Sequence, residues 1–174
     1  MICETSCRDR RGKIALIDRR KFRNKVRYLL HPDPQSQGLK ECTRVAFTQS
    51  SNTHPFYSNS ETPGRYASKF LGEMQDWHSK RRVNRSKPVK YLCVDRVLSF
   101  HPEDDLRFKD DVPEDLMAIQ ITKELVEKVM GSEEGRMGLY VVHRDKAHIH
   151  VHFLVSLVDQ NGRYFDTRKD YNRW

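Results

Sequence analysis

Long apolar runs are missing from this 174-residue chain. No segment approaches the ~20 apolar residues needed to span a bilayer, and mean hydropathy is −0.81, so a membrane-embedded protein is not expected. The N-terminus lacks the apolar stretch of a secretory signal, which argues against export. Cysteine is scarce, and Cys3, Cys7, Cys42 and Cys93 form neither a CxxC pair nor a regular framework. A disulfide-stapled scaffold is therefore disfavoured, and the thiols are expected to be reduced in a soluble, cytoplasmic protein. A zinc site drawing on Cys3, Cys7 and Cys42 is the weaker alternative. Internal repeats and low-complexity tracts are absent too, which leaves one ordinary globular domain over residues 1–174.

What the chain has in excess is positive charge. Lys and Arg number 32 against 24 acids, a net charge of +8, with a pI near 9.4. The surplus favours a polyanionic partner, of which nucleic acid is the commonest. It is concentrated in residues 8–27 and 80–90, as a phosphate-binding surface requires and a merely basic domain does not.

Residues 1–13 are polar and basic and are predicted to be poorly ordered. The apolar run 14–17 is either an edge strand or the approach to a helix. Asp18 is a fair N-cap for a helix over Arg19–Leu30, with Phe22, Val26 and Leu29 on its buried stripe. His31-Pro32-Asp33-Pro34 stops it. Residues 32–62 read mainly as loop, with a short strand at 43–48. Thr62-Pro63 is a cap followed by a first-turn proline, and Tyr66, Phe70, Met74 and Trp77 recur at helical spacing as far as about Lys80.

A β-rich stretch covers 89–100, with Leu92, Val94, Leu98 and Phe100 expected on one face and Tyr91, Cys93 and Asp95 on the other. Pro113 opens a further helix with Leu116, Ile119, Leu125, Val126 and Val129 inside and Gly131 past its end. A strand over 139–143 and another through the 148–155 region follow. This order predicts an α+β fold: a mostly antiparallel central sheet with helices packed mainly on one face. The chemistry is then expected on the sheet face that the helices leave open.

The informative stretch is VVHRDKAHIHVHFLVSLV. His148, His150 and His152 stand at every second position, so on a strand they share a face, while Ile149, Val151, Phe153 and Val155 take the other. The polar RDKA segment suggests a hairpin that folds His143 back beside the triplet, with Asp145 close by. Imidazoles converging from a rigid hairpin make a ready divalent-metal site.

Two kinds of chemistry fit such a cluster. In one, neutral imidazoles hold a divalent ion that polarises a phosphate while a separate side chain attacks it. In the other, a histidine is itself the nucleophile on a nucleotide α-phosphate. HIHVHFL resembles the signature of the histidine-triad nucleotide hydrolases in this respect. It departs from that family at Asp145-Lys146-Ala147, where a Gly-rich lead-in is usual, and at Ser156, where a proline is. For the first chemistry, Tyr28 in NKVRYLLHP is the best available nucleophile. It lies off the Val26/Leu29 stripe and can face outwards, with Lys25 and Arg27 placing positive charge beside it. The plainer alternative is a tyrosine that only packs at a helix boundary.

At these residues the chain resembles the conjugative relaxases, the single-tyrosine relaxase and mobilisation-nuclease group of the HUH endonuclease superfamily. VVHRDKAHIHVHFLVS is similar to the group's third motif, a His-x-Asp followed by an alternating His-x-His on a strand, with Ser156 replacing the usual Asn. RNKVRYLL resembles the first motif, a tyrosine near the end of the first helix. NRSKPVKYLCVDRVLSF carries a weaker likeness to the second through Ser86 and Ser99-Phe100. The likeness spans roughly residues 14–170. Relaxases of this group continue with a helix that helps to close over the DNA, so the chain reads as a nuclease domain or a small member.

The resemblance implies metal binding by His143, His150 and His152, with His148 placed to replace or assist one of them. It implies Asp145 as a base for the tyrosine or as the group that fixes an imidazole tautomer. Tyr28 becomes the nucleophile that forms a 5′-phosphotyrosine link at a plasmid or conjugative-element origin of transfer. Mn²⁺ or Mg²⁺ is the expected ion, although three imidazoles also suit Zn²⁺ or Ni²⁺.

The DNA-binding candidates are Arg23, Arg27, Arg82, Arg85 and Ser86, with Arg19, Arg20, Lys21, Lys80 and Arg81 around them. Tyr57, Tyr66 and Trp77 are candidates for base stacking. The expected partners are single-stranded DNA and accessory relaxosome proteins. A rolling-circle initiator or transposase with the same chemistry, the histidine-triad hydrolase, and a binding module without turnover stand as alternatives.

Overall fold

The computed structural model describes residues 16–30, 45–57, 60–80, 91–101, 103, 112–131, 135–144 and 148–165. Expectations for residues 1–13 and for Cys3, Cys7 and Cys42 lie outside them. Five strands form one sheet: β1 (Leu16–Asp18), β2 (Val45–Ser51), β3 (Tyr91–Ser99), β4 (Arg136–His143) and β5 (His150–Asp159). Their spatial order is β1-β3-β5-β4-β2, and every neighbouring pair is antiparallel. The helices are α1 (Arg19–Leu30), α2 (Pro63–Ser79) and α3 (Glu114–Met130). The fold is α+β, as the sequence predicts, and Leu16–Asp18, at the end of the apolar run, forms an edge strand.

Local chemistry starts and stops the helices. Asp18 caps α1 by accepting the Lys21 amide at 3.0 Å, and Thr62 caps α2 by accepting the Arg65 amide at 3.3 Å, each satisfying a donor that the helix leaves open. Pro113 precedes α3, and Gly131 ends it at φ +83°, a backbone conformation with little room for a side chain.

Each sheet face carries its own core. Phe22, Val26 and Leu29 of α1 and Tyr66, Phe70 and Met74 of α2 pack against Leu139, Val141 and Leu154. Ile119, Val126 and Val129 of α3 pack on the opposite face, against Leu98, Tyr140, Val142, Val151 and Phe153. Two helices thus share one face and the third covers the other. No face is left open, and β3, β4 and β5 are buried along almost their whole length. No described helix is long and apolar enough to cross a membrane.

Three details depart from the sequence reading. Leu92 packs with Cys93 in the α1/α2 core rather than with Val94. The β1–β3 ladder passes from Ile17↔Cys93 to Asp18↔Tyr91 and skips Leu92, and such a bulge breaks the strict alternation of side chains. Leu116 is 37% exposed, its expected place in the core being taken by Met117 and Ala118. β2 is described from Val45 and runs on to Ser51, because its ladder with β4 extends to Gly138. Cys93 is a buried thiol, raised well above its ordinary range by burial and then by Asp95, and it behaves as an apolar side chain.

Replacing Gly131 by Ala should lower stability by about 1–3 kcal/mol, because alanine is strained at this positive φ. Urea denaturation should show a reduced midpoint with an unchanged m-value.

Candidate metal centre and active site

The β4–β5 hairpin assembles the histidines through its register. His143, the last residue of β4, lies opposite His150, the first of β5, and Val141 lies opposite His152. Alternation then puts His143, His150 and His152 on the face that also carries Leu139, Val141 and Leu154. That face is the one α1 and α2 cover, not an open one. The site sits at the C-terminal end of α1.

The three rings pack closely, with centroids 5.4 Å apart for His143–His150, 4.6 Å for His143–His152 and 5.3 Å for His150–His152. Their relative exposures are 0%, 4% and 8%. One nitrogen from each lies within 4.8 Å of the others, close to the ~4.2 Å maximum for two nitrogens held about 2.1 Å from a single ion. Among the described residues this is the one group of three or more His, Cys, Asp or Glu side chains that could hold a metal. The donor set fits a divalent transition ion.

Backbone carbonyls orient two of the rings. His143 Nε2 donates to the Leu29 carbonyl of α1 at 3.0 Å, which fixes the tautomer and makes Nδ1 the nitrogen that could accept a metal ion. His150 Nδ1 lies 3.3 Å from the His148 carbonyl, which leaves Nε2 for a ligand. His148 itself is half-buried with its ring 5.8 Å from that of His150. It stands outside the three-ring group and supports His150 through its backbone.

Tyr28 is 52% exposed and immediately precedes Leu29, so the hydrogen bond from His143 ties the residue after the tyrosine to the cluster. Arg23 and Arg27 are exposed on the same helix, and Arg27 runs alongside Gly64 at the start of α2. Asp145, Arg81, Arg82, Arg85 and Ser86 lie outside the described residues, as do the side chains of Arg19 and Arg20. Lys80 is engaged by Asp76 at 2.7 Å. Of the stacking candidates, Tyr57 is 59% exposed and Trp77 half-buried. Tyr66 is a core residue instead. Its hydroxyl meets Ser50 at 3.1 Å and is raised to about 12, chiefly by burial.

Ser156 lies four residues beyond His152 on β5. Its hydroxyl donates to the Val158 carbonyl at 2.8 Å and supports the strand. A cavity of about 510 Å³ lies at the opposite end of β4, against Met137 and Trp77, and is separate from the histidine cluster.

Two groups escaped the sequence reading. Arg144, next to His143, bonds Asp115 at 2.9 Å and Glu114 at 3.1 Å, and so clamps the exit of β4 to the first turn of α3. Asp95 forms a buried ion pair with Lys25 at 2.9 Å. A carboxylate inside the apolar run YLCVDRVLSF was the available signal for Asp95, since buried acids are rare without a partner. Arg144 carried no such signal.

A family model for "Relaxase: MobA/VirD2-like, nuclease domain" matches residues 48–174, which takes in the whole β4–β5 hairpin and leaves Tyr28 ahead of the matched stretch. No curated protein and no solved structure matches the chain. With more than half of its residues covered by that match, the chain belongs to the MobA/VirD2-like relaxase nuclease-domain family, whose members act as DNA-nicking endonucleases.

Proposed function

We propose that this protein nicks and rejoins one DNA strand at an origin of transfer, with Tyr28 as the nucleophile and His143, His150 and His152 as ligands of a divalent ion. The observation that carries the reading is the tie between His143 and the Leu29 carbonyl. It couples a compact set of three imidazoles to the helix turn that bears an exposed tyrosine.

In the forward step the Tyr28 hydroxyl oxygen attacks the scissile phosphorus. A P–O bond to tyrosine forms as the P–O3′ bond breaks, and the 3′ oxygen leaves as a hydroxyl. The phenolic proton passes to Asp145 or to water, and the leaving oxygen gains one in return. The product is a 5′-phosphotyrosine ester that retains the phosphodiester energy, so the 3′-hydroxyl can attack it and restore the strand. The bound ion, Mn²⁺ or Mg²⁺ by expectation, would supply charge to the non-bridging phosphate oxygens. The buried rings hold that position without rearrangement, because each is fixed within a packed hairpin. Arg23 and Arg27, joined by Arg82, Arg85 and Ser86, would hold the strand's phosphates. Accessory relaxosome proteins would present the duplex in melted form. A rolling-circle initiator or transposase would use the same side chains on a different DNA target.

Three outcomes test this reading. On a pool of 3′-labelled single-stranded oligonucleotides with Mn²⁺, wild type should give a slow-migrating, protease-sensitive adduct. Tyr28→Phe should give none while binding the pool within about twofold of wild type. An adduct that persists in Tyr28→Phe would place the nucleophile elsewhere, and turnover of small nucleotides without any adduct would favour histidine-triad chemistry.

His150→Ala should lose Mn²⁺ affinity and adduct formation together. Calorimetric titration checks the first, and undiminished metal binding would discredit the ligand set. Affinity for the oligonucleotide pool should fall about tenfold or more between 50 and 200 mM salt, as expected when several phosphates are neutralised together. A flat salt response in fluorescence anisotropy would contradict the basic groove.

A further inference from the structure

Helix α1 carries Lys21, Arg23, Lys25 and Arg27 and no acid between Arg19 and Leu30. Lys21, Arg23 and Arg27 are exposed, as a phosphate-binding face requires, whereas Lys25 is half-buried. Its ammonium lies 2.9 Å from Asp95 Oδ2, with side-chain exposures of 16% for the lysine and 1% for the aspartate. The same ammonium lies 5.9 Å from the centre of the Tyr28 ring, within the usual range of a cation–π contact.

Asp95 is on β3 opposite Leu154, and two residues further along Val97 is opposite His152. Leu154 and His152 share the α1/α2 face, so Asp95 lies on that face one pair away from His152. The Lys25–Asp95 pair therefore bridges the tyrosine's helix to the strand beside the histidine cluster.

A stability role does not account for this pair. Phe22, Val26 and Leu29 already bury an unbroken stripe of α1, and a buried ion pair is commonly no more stabilising than two well-packed apolar side chains. What an apolar pair cannot supply is a fixed cation beside the ring. We infer that Lys25, held by Asp95, is a positioning residue that sets the direction and electrostatic surroundings of the Tyr28 side chain. The inference rests on the assignment of Tyr28 as nucleophile. It adds that one of the four described basic residues of α1 serves the tyrosine rather than the DNA backbone.

The test separates positioning from anchoring. Lys25→Met combined with Asp95→Leu removes the charges and leaves no buried ion without a partner. This double variant should melt within a few degrees of wild type and bind the same 3′-labelled oligonucleotide pool within about twofold. Its single-turnover rate of adduct formation should nevertheless fall about 10–100-fold, since small misplacements of a reacting group cost that much. Lys25→Arg, which keeps the cation and its carboxylate partner, should recover most of the rate.

A double variant that forms adduct at the wild-type rate overturns the proposal and leaves the pair a helix anchor. Should the double variant not fold, Lys25→Met against Lys25→Arg gives the same decision, because equal rates in these two would also overturn it. The Tyr28→Phe control is read separately: adduct in that variant removes the nucleophile assignment itself, whereas no adduct there with full rate in the double variant removes the positioning role alone.

Discussion

The register of β4 against β5 is the constraint on which the site depends. β5 is the middle strand of the sheet, paired on both sides and buried on both faces. A slip of one residue would turn His150 and His152 towards α3 and bring Val151 and Phe153 to the α1 side. Burying two imidazoles among Leu98, Tyr140 and Val142 without partners would cost about 1–3 kcal/mol each. The apolar side of the strand therefore enforces the polar side. Packing that has no chemistry of its own places the three rings together, and the Arg136 guanidinium, 3.2 Å from the Ser156 carbonyl, adds a polar tie further along the hairpin.

Helix α1 is the second rigid part, and it is held by two kinds of contact. Its apolar stripe supplies most of the packing, whereas its polar links to the sheet supply direction. These are the His143–Leu29 hydrogen bond near the C-terminus and the Lys25–Asp95 pair one turn earlier. Tyr28 lies between those two links in sequence. A helix fixed at both points has little freedom to rotate about its axis, and a rotation of one residue would carry the tyrosine about 100° round the helix. On the proposed reading, the accuracy of attack is built into the backbone before DNA arrives.

Much of this was legible in the sequence, and for stated reasons. Periodicity located α1, α2 and α3, and the caps at Asp18 and Thr62 and the stop at Gly131 marked their boundaries. Alternation gave the shared face of His150 and His152, and the polar RDKA segment gave the hairpin that returns His143. The lost details are all three-dimensional. A bulge that moves Leu92 across the strand arises from the pairing of β1 with β3, not from Leu92 itself. The distribution of helices over both faces depends on which strands become neighbours, and sequence order does not set that for an antiparallel sheet. His148 fits the alternation perfectly and yet stands apart, because the regular strand begins only at His150. The partners Lys25 and Asp95 are 70 residues apart by number, beyond the reach of any local pattern.

If the three histidines are ligands and Tyr28 the nucleophile, as proposed, their differing exposure follows from the substrate. Metal ligands gain from burial, since a dry, packed cluster holds its geometry and strengthens its electrostatic effect on a bound phosphate. A nucleophile for a polymer cannot be buried in the same way, because the strand must lie across the surface and leave covalently attached. On the proposed reading, the protein meets both demands by drawing its ligands from the sheet interior, at 0–8% exposure, and its tyrosine from the outer side of a helix, at 52%. The hydrogen bond from His143 to the residue after Tyr28 links those two environments. On the proposed reading, the adduct can form and reverse at the surface while the metal ligands stay in place, which suits a reaction that must run in both directions on one strand.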